Sequence, residues 1–262
     1  FGIKNTPKVV GGITPQCTKL AGMVYSSIVD NVHVVSSPTV AETSKLLENV
    51  FRSVNIGLVN ELALLCNRMK IDVWEVIAAA STKPFGFMTF YPGPGLGGHC
   101  IPLDPFYLSW KARTYDFNAR FIELAGEING NMPYYVISRI YEILNRNNKT
   151  ISKSKILLLG MAYKGDIDDM RESPSLDVFK LLVARGAKTD YFDPYIPSIE
   201  IHGKKIKSIA ENYSKLKNYD LIVILTGHKK YDYTKIKKFA KCIYDTRNAI
   251  KGLKESKKYC KL

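Results

Sequence analysis

No pair of cysteines in this chain forms a CxxC, and the total is odd: Cys17, Cys66, Cys100, Cys242 and Cys260. A disulfide framework is therefore not expected, and a reducing cytoplasm is the simplest home. The histidines (His33, His99, His202, His228) are scattered, so no zinc-ligand cluster is legible and no metal is expected. No apolar run reaches transmembrane length, and no membrane role is expected. Phe1–Thr14 lacks the charged and apolar regions of a signal peptide, and a start at Phe1 rather than Met suggests a fragment or processed chain. Acidic residues are scarce beside basic ones, 24 against 38, for a formal charge of +14. The excess is mostly lysine, heaviest from Lys204 onward, with no nucleic-acid recognition motif beside it. A solvated basic surface is the plainer reading, and no nucleic-acid partner is expected. Finally, the second half of the chain has no GxGxxG turn, only a lone Gly160 after its first strand, so a dinucleotide site there is not supported.

What the chain does have is two textures. Lys8-Val9-Val10 reads as a strand closed by Gly11-Gly12, followed by a helix over about Thr14–Asp30 and a strand at Val32–Val35. Thr39 and Glu42 form a capping-box pattern opening a helix that runs to about Met69. Its core stripe is expected at Leu46, Val50, Phe51, Val54, Leu58, Leu62 and Leu65, with Gly57 the one interruption. A shorter helix follows from Asp72. Two more are expected over about Asn118–Gly130 and Pro133–Asn147, with Pro133 in a first-turn position. From Asn147-Asn148-Lys149-Thr150 the texture changes. Strands at Lys155–Leu159, Thr189–Pro194, Leu221–Thr226 and, last, Cys242–Asp245 alternate with helices such as Ser175–Ala184. That alternation predicts a parallel, three-layer sheet.

Between the helices, Lys83–Pro105 carries five prolines and five glycines and must be a long ordered loop. Glycines allow close backbone approach to a ligand, and prolines cut the entropy lost in fixing one shape. A thiol presented there beside a helix start, Cys100, can act as a nucleophile; the competing reading is an inert cysteine in a structural loop. Lys45, Asn49 and Arg52 share one helix face, either a solvated stripe or an oxyanion-stabilising group. Lys164 and Arg171 follow the first strand of the second half, and Arg247 ends the last. All three could meet a phosphorylated ligand at the sheet's carboxyl edge, or they are surface cations beside helix-capping Asp168 and Asp169.

The run Lys83-Pro84-Phe85-Gly86-Phe87-Met88 through Gly97-Gly98-His99-Cys100-Ile101-Pro102-Leu103-Asp104-Pro105 resembles the UDP-sugar 6-dehydrogenase family. It looks most like the UDP-N-acetylglucosamine branch; UDP-N-acetylmannosamine dehydrogenases share the PGPGxGGHC core but usually differ around it. The resemblance covers residues 7–250 and implies an α/β protein: an all-helical central dimerisation domain (39–148), then a Rossmann-like parallel-sheet UDP-binding domain (149–262). Residues 1–38 would be the end of an otherwise absent NAD-binding domain. The implied activity is two-step, NAD-dependent oxidation of C6 of a UDP-N-acetylhexosamine. UDP-N-acetylmannosamine, UDP-glucose, or a non-catalytic nucleotide-sugar-binding dimer are the alternatives.

The resemblance also implies roles. Cys100 would capture the C6 aldehyde as a thiohemiacetal, later a thioester. Lys45 and Asn49 would steady the oxyanion, and Asp104 would position water or base. Phe87, Tyr91, Gly95, Gly97 and Gly98 would wrap the sugar and diphosphate, with Lys164 and Arg247 as basic ligands of the substrate. Arg171 would lie near the nicotinamide. A homodimer through the long central helix is expected. A lysine pair usual in the family is here Lys164-Gly165. From the residues themselves, Lys45 is expected to favour the Cys100 thiolate. Adjacent side chains in an extended loop tend to point apart, which disfavours a pair between His99 and Cys100. Cys66 and Cys242 are expected to be buried. Cys17 and Cys260 are expected to be more open, with no evident reason for acidity.

Overall fold

The computed structural model describes residues 2–201 and 203–262; Phe1 and His202 lie outside the described residues. The chain divides into two compact units, one ending at Arg52 and the other covering Ser53–Leu262.

In the first unit, strands β1 (Lys8–Val10) and β2 (Val32–Val34) pair in parallel, with Lys8 opposite Val32 and Val10 opposite Val34. Helix α1 (Pro15–Ser26) makes the crossover. It starts where the sequence says it should: the Thr14 hydroxyl accepts the Cys17 amide at 3.1 Å and Pro15 stands at the first position. Helix α2 (Pro38–Met69) begins in this unit and continues into the second. Its N-cap is Ser37, whose hydroxyl accepts the Val40 amide at 3.3 Å, rather than Thr39. Pro38 occupies the first turn and leaves Thr39 inside the helix, so the capping box does not form there.

The second unit contains the rest of α2, then α3 (Val73–Ala80), α4 (Asp104–Arg113) and α5 (Arg120–Arg146). Asp72 caps α3 by accepting the Trp74 amide at 3.0 Å. The two helices expected on either side of Gly130 are one, with Pro133 inside it. Proline removes an amide and with it the hydrogen bond to the carbonyl four residues back. That carbonyl, on Asn129, faces the glycine-rich loop: a Cβ on Gly95 would lie 3.3 Å from it. The loop therefore packs where the helix has a freed acceptor.

The stripe read as the core of α2 is only half inside: Leu46, Val50, Val54 and Leu62 are partly buried. Phe51, Leu58 and Leu65 are exposed, while Asn49, Ser53, Gly57, Asn60, Ala63 and Cys66 are buried. Small residues let helices approach closely, and a Cβ on Gly57 would sit 3.3 Å from the Ala125 Cα of α5. The helix carries two stripes. The small one packs inward against its neighbours, and the leucine-rich one keeps Leu58 and Leu65 on the surface.

After α5 comes a five-stranded, all-parallel sheet of β3 (Lys155–Leu159), β4 (Lys188–Phe192), β7 (Leu221–Ile224), β8 (Ile243–Asp245) and β9 (Tyr259–Lys261). Strands β5 (Ser198–Ile201) and β6 (Lys204–Lys207) form a separate antiparallel hairpin. Helices α6 (Pro174–Ala184) and α7 (Tyr233–Phe239) lie between strands, with short 3-10 turns at Ile151–Lys153 and Tyr213–Asn218. The strand read as last, β8, is followed by β9, too short to announce itself in a lysine-rich tail.

Alternation along β3 shows the layering. Ile156 and Leu158 join Val136, Ile140 and Leu144 of α5 and Val178, Phe179 and Leu182 of α6. Leu157 and Leu159 join Ile236 of α7 and Leu216 on the opposite face. Parallel strands covered on both faces read as continuous apolar runs. The last of the central helices is thus also one layer of the sheet domain. In the sheet order β4-β3-β7-β8-β9, chain direction away from β3 reverses between β3 and β7. Ligands of open parallel sheets bind at the carboxyl ends beside such a reversal.

Candidate functional site

A cleft of about 400 Å³ opens at that position, lined by residues that follow β3 (Tyr163, Lys164), β7 (Thr226, Lys229) and β8 (Arg247, Lys251). Four of its lining residues are Lys or Arg and none is Asp or Glu. A larger cleft of about 710 Å³ beside α3 and the end of α5 has five cations but also four carboxylates. Several of those pair off, Lys261 with Asp72 and Arg139 with Glu142, so that cleft has little net attraction for an anion. The smaller cleft selects one.

Arg247 is the strongest reason. Its Nε donates to the Leu225 carbonyl at 2.9 Å, which fixes the guanidinium plane. No carboxylate of the described residues forms an ion pair with it. Part of its surface reaches the cleft, yet desolvation lowers its pKa to about 10 against the opposing field of Asp245. It remains charged at neutral pH. A desolvated, unpaired guanidinium facing a cleft is a site for phosphate or carboxylate.

The glycine-rich loop forms the adjoining wall. Gly93 lies against the Arg247 guanidinium with no room for a Cβ. Its amide donates to Asn60 Oδ1 at 2.9 Å; Asn60 Nδ2 donates to Asn129 Oδ1 at 2.8 Å, and Asn129 Nδ2 to the Ser53 carbonyl at 3.0 Å. This buried asparagine ladder explains why α2 tolerates polar residues on its inner face. Further along, a Cβ on Gly97 would lie 2.5 Å from the Tyr163 Cβ, and Gly98, at φ +98°, donates its amide to the Arg171 carbonyl at 2.9 Å. Gly95, at φ +136°, packs on Pro174. Tyr91 stacks on Trp74 with ring centroids 6.0 Å apart, and Phe87 is half-exposed.

Cys100 is exposed. Its carbonyl accepts the Leu103 and Asp104 amides at 3.1 and 2.8 Å, so it sits one turn before α4 with Asp104 in that helix's first turn. Its sulfur lies 3.8 Å from His99 Nδ1, so the two side chains converge rather than point apart; the loop has already begun to turn there and is not extended. Arg171 grips Asp169 with hydrogen bonds of 2.7–3.1 Å, and the Asp169 hydrogen bonds hold the guanidinium's pKa above its ordinary value. Cys260, read as open, is buried in β9, and burial pushes its thiol upward. Cys17, read as unremarkable, has its pKa lowered by the Thr14 hydroxyl.

Lys164 is exposed at the cleft mouth. In the first unit, Lys45 pairs with Glu48 at 3.2 Å, and Arg52 donates to Asn49, which is buried rather than part of a solvated stripe. Asn60, Asn129, Asp193 and His228 were not singled out from the sequence. A polar residue inside the leucine-rich part of α2 and an aspartate ending a strand were the available signals.

Among the described residues no group of three or more His, Cys, Asp or Glu is placed to hold a metal ion, and no helix is long and apolar enough to cross a membrane. Nor do the residues of this sheet fit a dinucleotide. The turn after β3 has the single Gly160, and that glycine is packed against Thr226 rather than open to a phosphate.

Comparison with known proteins accords with this geometry. Residues 39–131 match the model of the UDP-glucose/GDP-mannose dehydrogenase family, central domain, and residues 157–252 match the same family's UDP binding domain. A UDP-N-acetyl-D-mannosamine dehydrogenase of Methanococcus maripaludis is 37% identical over 251 residues, covering 93% of this chain and 56% of the relative. A UDP-D-ManNAc dehydrogenase structure from Pyrococcus horikoshii superposes with a TM-score of 0.86 at 32% identity, over 99% of this chain and 60% of the other. An NDP-N-acetyl-D-galactosaminuronic acid dehydrogenase structure from Methanosarcina mazei gives 0.84 at 29% identity, over 99% and 58%. The chain thus spans little more than half the length of such relatives. The expected leaning toward the N-acetylglucosamine branch is corrected: several of the similar proteins bear the N-acetylmannosamine name.

Proposed function

The chain belongs to the UDP-glucose/GDP-mannose dehydrogenase family, and on that premise we propose that it is the substrate-holding portion of an NAD-dependent dehydrogenase oxidising C6 of UDP-N-acetyl-D-mannosamine. The observation that carries the reading is the acid-free cleft at the sheet reversal, with unpaired Arg247 against the glycine-rich loop that leads to Cys100. The diphosphate is assigned to Arg247 and Lys164, and the sugar to the loop containing Phe87, Tyr91, Gly95, Gly97 and Gly98. The choice of N-acetylmannosamine draws on the relatives' names; the cleft itself selects only an anion.

Cys100 is assigned as nucleophile. Its sulfur adds to the C6 carbonyl carbon of the aldehyde, the carbonyl oxygen takes a proton, and a thiohemiacetal results. Water attack on the later thioester would release the carboxylate and return the thiol. Asp104, one turn on, is the group assigned to position that water. Lys45 and Asn49 carry the oxyanion role on their motif positions alone. NAD would supply the hydride acceptor for this chemistry, but the residues of this sheet do not fit it; Arg171 is assigned to the nicotinamide side by resemblance.

Calorimetric titration of this chain with UDP, UDP-N-acetylmannosamine and UDP-N-acetylglucosamine tests the reading. Binding of UDP that weakens at least about tenfold in Arg247→Met is expected for loss of a charge-assisted contact. Absence of UDP binding, or no effect of the substitution, refutes it.

A homodimer through α2 is the assembly this reading favours. Leu58, Leu65 and Met69 are exposed, and Leu62 lines a groove with Leu58 and Leu65. A contiguous apolar face on a long helix calls for cover, and an isologous pairing of two copies supplies it.

A further inference from the structure

In the wall of the cleft, two loops are joined through one imidazole, that of His228. The Asp166 amide donates to His228 Nδ1 at 2.9 Å. That nitrogen must therefore hold its lone pair, so the neutral ring carries its proton on Nε2, 3.1 Å from Asp193 Oδ2. Asp193 is itself saturated. Its Oδ2 also accepts the Met161 and Ala162 amides at 2.6 and 3.1 Å, and its Oδ1 the Tyr195 and Ile196 amides at 2.8 and 3.1 Å. Asp166 returns the grip, its Oδ1 accepting the Lys229 amide at 2.8 Å. Both Asp193 and His228 are buried. Asp166 holds a left-handed φ of +64°, and a Cβ on Gly165 would clash with the Gly227 carbonyl. The closeness of the two loops thus accounts for glycine where a second lysine is usual.

The consequence is geometric. Segment 161–166 is pinned at one end by Asp193 and at the other by His228, which hangs from the same carboxylate. The residues between the pins, Tyr163, Lys164 and Gly165, line the cleft. We propose that His228, in its Nε2–H tautomer, is a positioning residue: its bare Nδ1 holds the Asp166 backbone amide and so sets where Lys164 stands in the nucleotide cleft. This rests on the reading of that cleft as a nucleotide site.

His228→Asn and His228→Gln separate the two nitrogens. The asparagine oxygen takes the place of Nδ1 and keeps the Asp166 bond. The glutamine amide reaches as Nε2 does, keeping Asp193 but losing Asp166. With UDP as probe, H228Q is expected to weaken binding about tenfold and H228N less than about threefold, the former leaving a backbone donor unsatisfied. Exchange of the Asp166 amide in the ligand-free chain should quicken in H228Q only. Equal losses in both variants, an unchanged H228Q, or the reverse ranking overturns the proposal. Imidazole nitrogen resonances of the unsubstituted chain give an arm that needs no variant: a bare Nδ1 and protonated Nε2 support it, and the opposite tautomer overturns it. Should UDP fail to bind the unsubstituted chain, the nucleotide reading falls, while exchange and tautomer still decide the clasp.

Discussion

Replacing Asn60 by alanine tests whether the glycine-rich loop owes its shape to the inner face of α2. Asn60 is 0% exposed. Its oxygen is the acceptor of the Gly93 amide at 2.9 Å and its nitrogen the donor to Asn129 at 2.8 Å. The substitution removes both at once and leaves the Gly93 amide and the Asn129 oxygen in a buried setting. Each such orphan costs about 1–3 kcal/mol, so the loss comes to about 2–6 kcal/mol. A water entering the vacated space would hold it near the lower figure. Against the roughly 5–15 kcal/mol by which domains are stable, that is a large fraction. Urea denaturation reads the loss directly, and chymotrypsin cleavage after the exposed Phe87 reads the loosening of the loop. A loss under about 0.5 kcal/mol with an unchanged cleavage rate would refute the reasoning, because two buried orphans cannot be that cheap.

Iodoacetamide at neutral pH should label the exposed Cys100 and Cys17 in the folded chain, and Cys66, Cys242 and Cys260 only after denaturation. Burial pushes the Cys242 thiol up to about 11, and peptide mapping that finds it labelled as fast as Cys100 contradicts the packing of β8. Acid should unfold the sheet domain partly through Asp193. Burial alone would raise its pKa, but the His228 bond and the amides of Tyr195, Met161 and Ala162 together hold it below the ordinary value. Its contribution is therefore full above the unfolded pKa of about 3.9 and is lost as pH falls through the native one. Asp193→Asn should be less stable near neutrality and lose less on acidification, as urea midpoints would show; parallel pH curves would exclude the effect. Leu65→Glu should convert a dimer seen by light scattering into monomer, and a dimer surviving it would move the interface off this face of α2.

Much of the sheet domain was legible in the chain itself. Lys155–Leu159 and Leu221–Ile224 are apolar without alternation, as strands buried on both faces must be, and the helices between them leave only a parallel arrangement. Lys83–Pro105 declared itself a rigid loop because only proline and glycine in that density restrict and permit the backbone together. Arg247 and Lys164 could be placed at one sheet edge by topology alone. Periodicity, however, reports that a helix has an apolar face, not which face its neighbours take. Phe51, Leu58 and Leu65 turned outward because Gly57 allows a closer approach to α5 on the other side of the helix. Proline marked a break in α5 that did not occur, since a carbonyl without its amide can face a packed loop instead of water. The Asn60–Asn129 ladder and the His228 clasp join residues 69 and 62 positions apart. Hydrogen bonds of such span leave no local pattern in the sequence. Only the folded chain brings their donors and acceptors together, where burial makes each of them costly to lose.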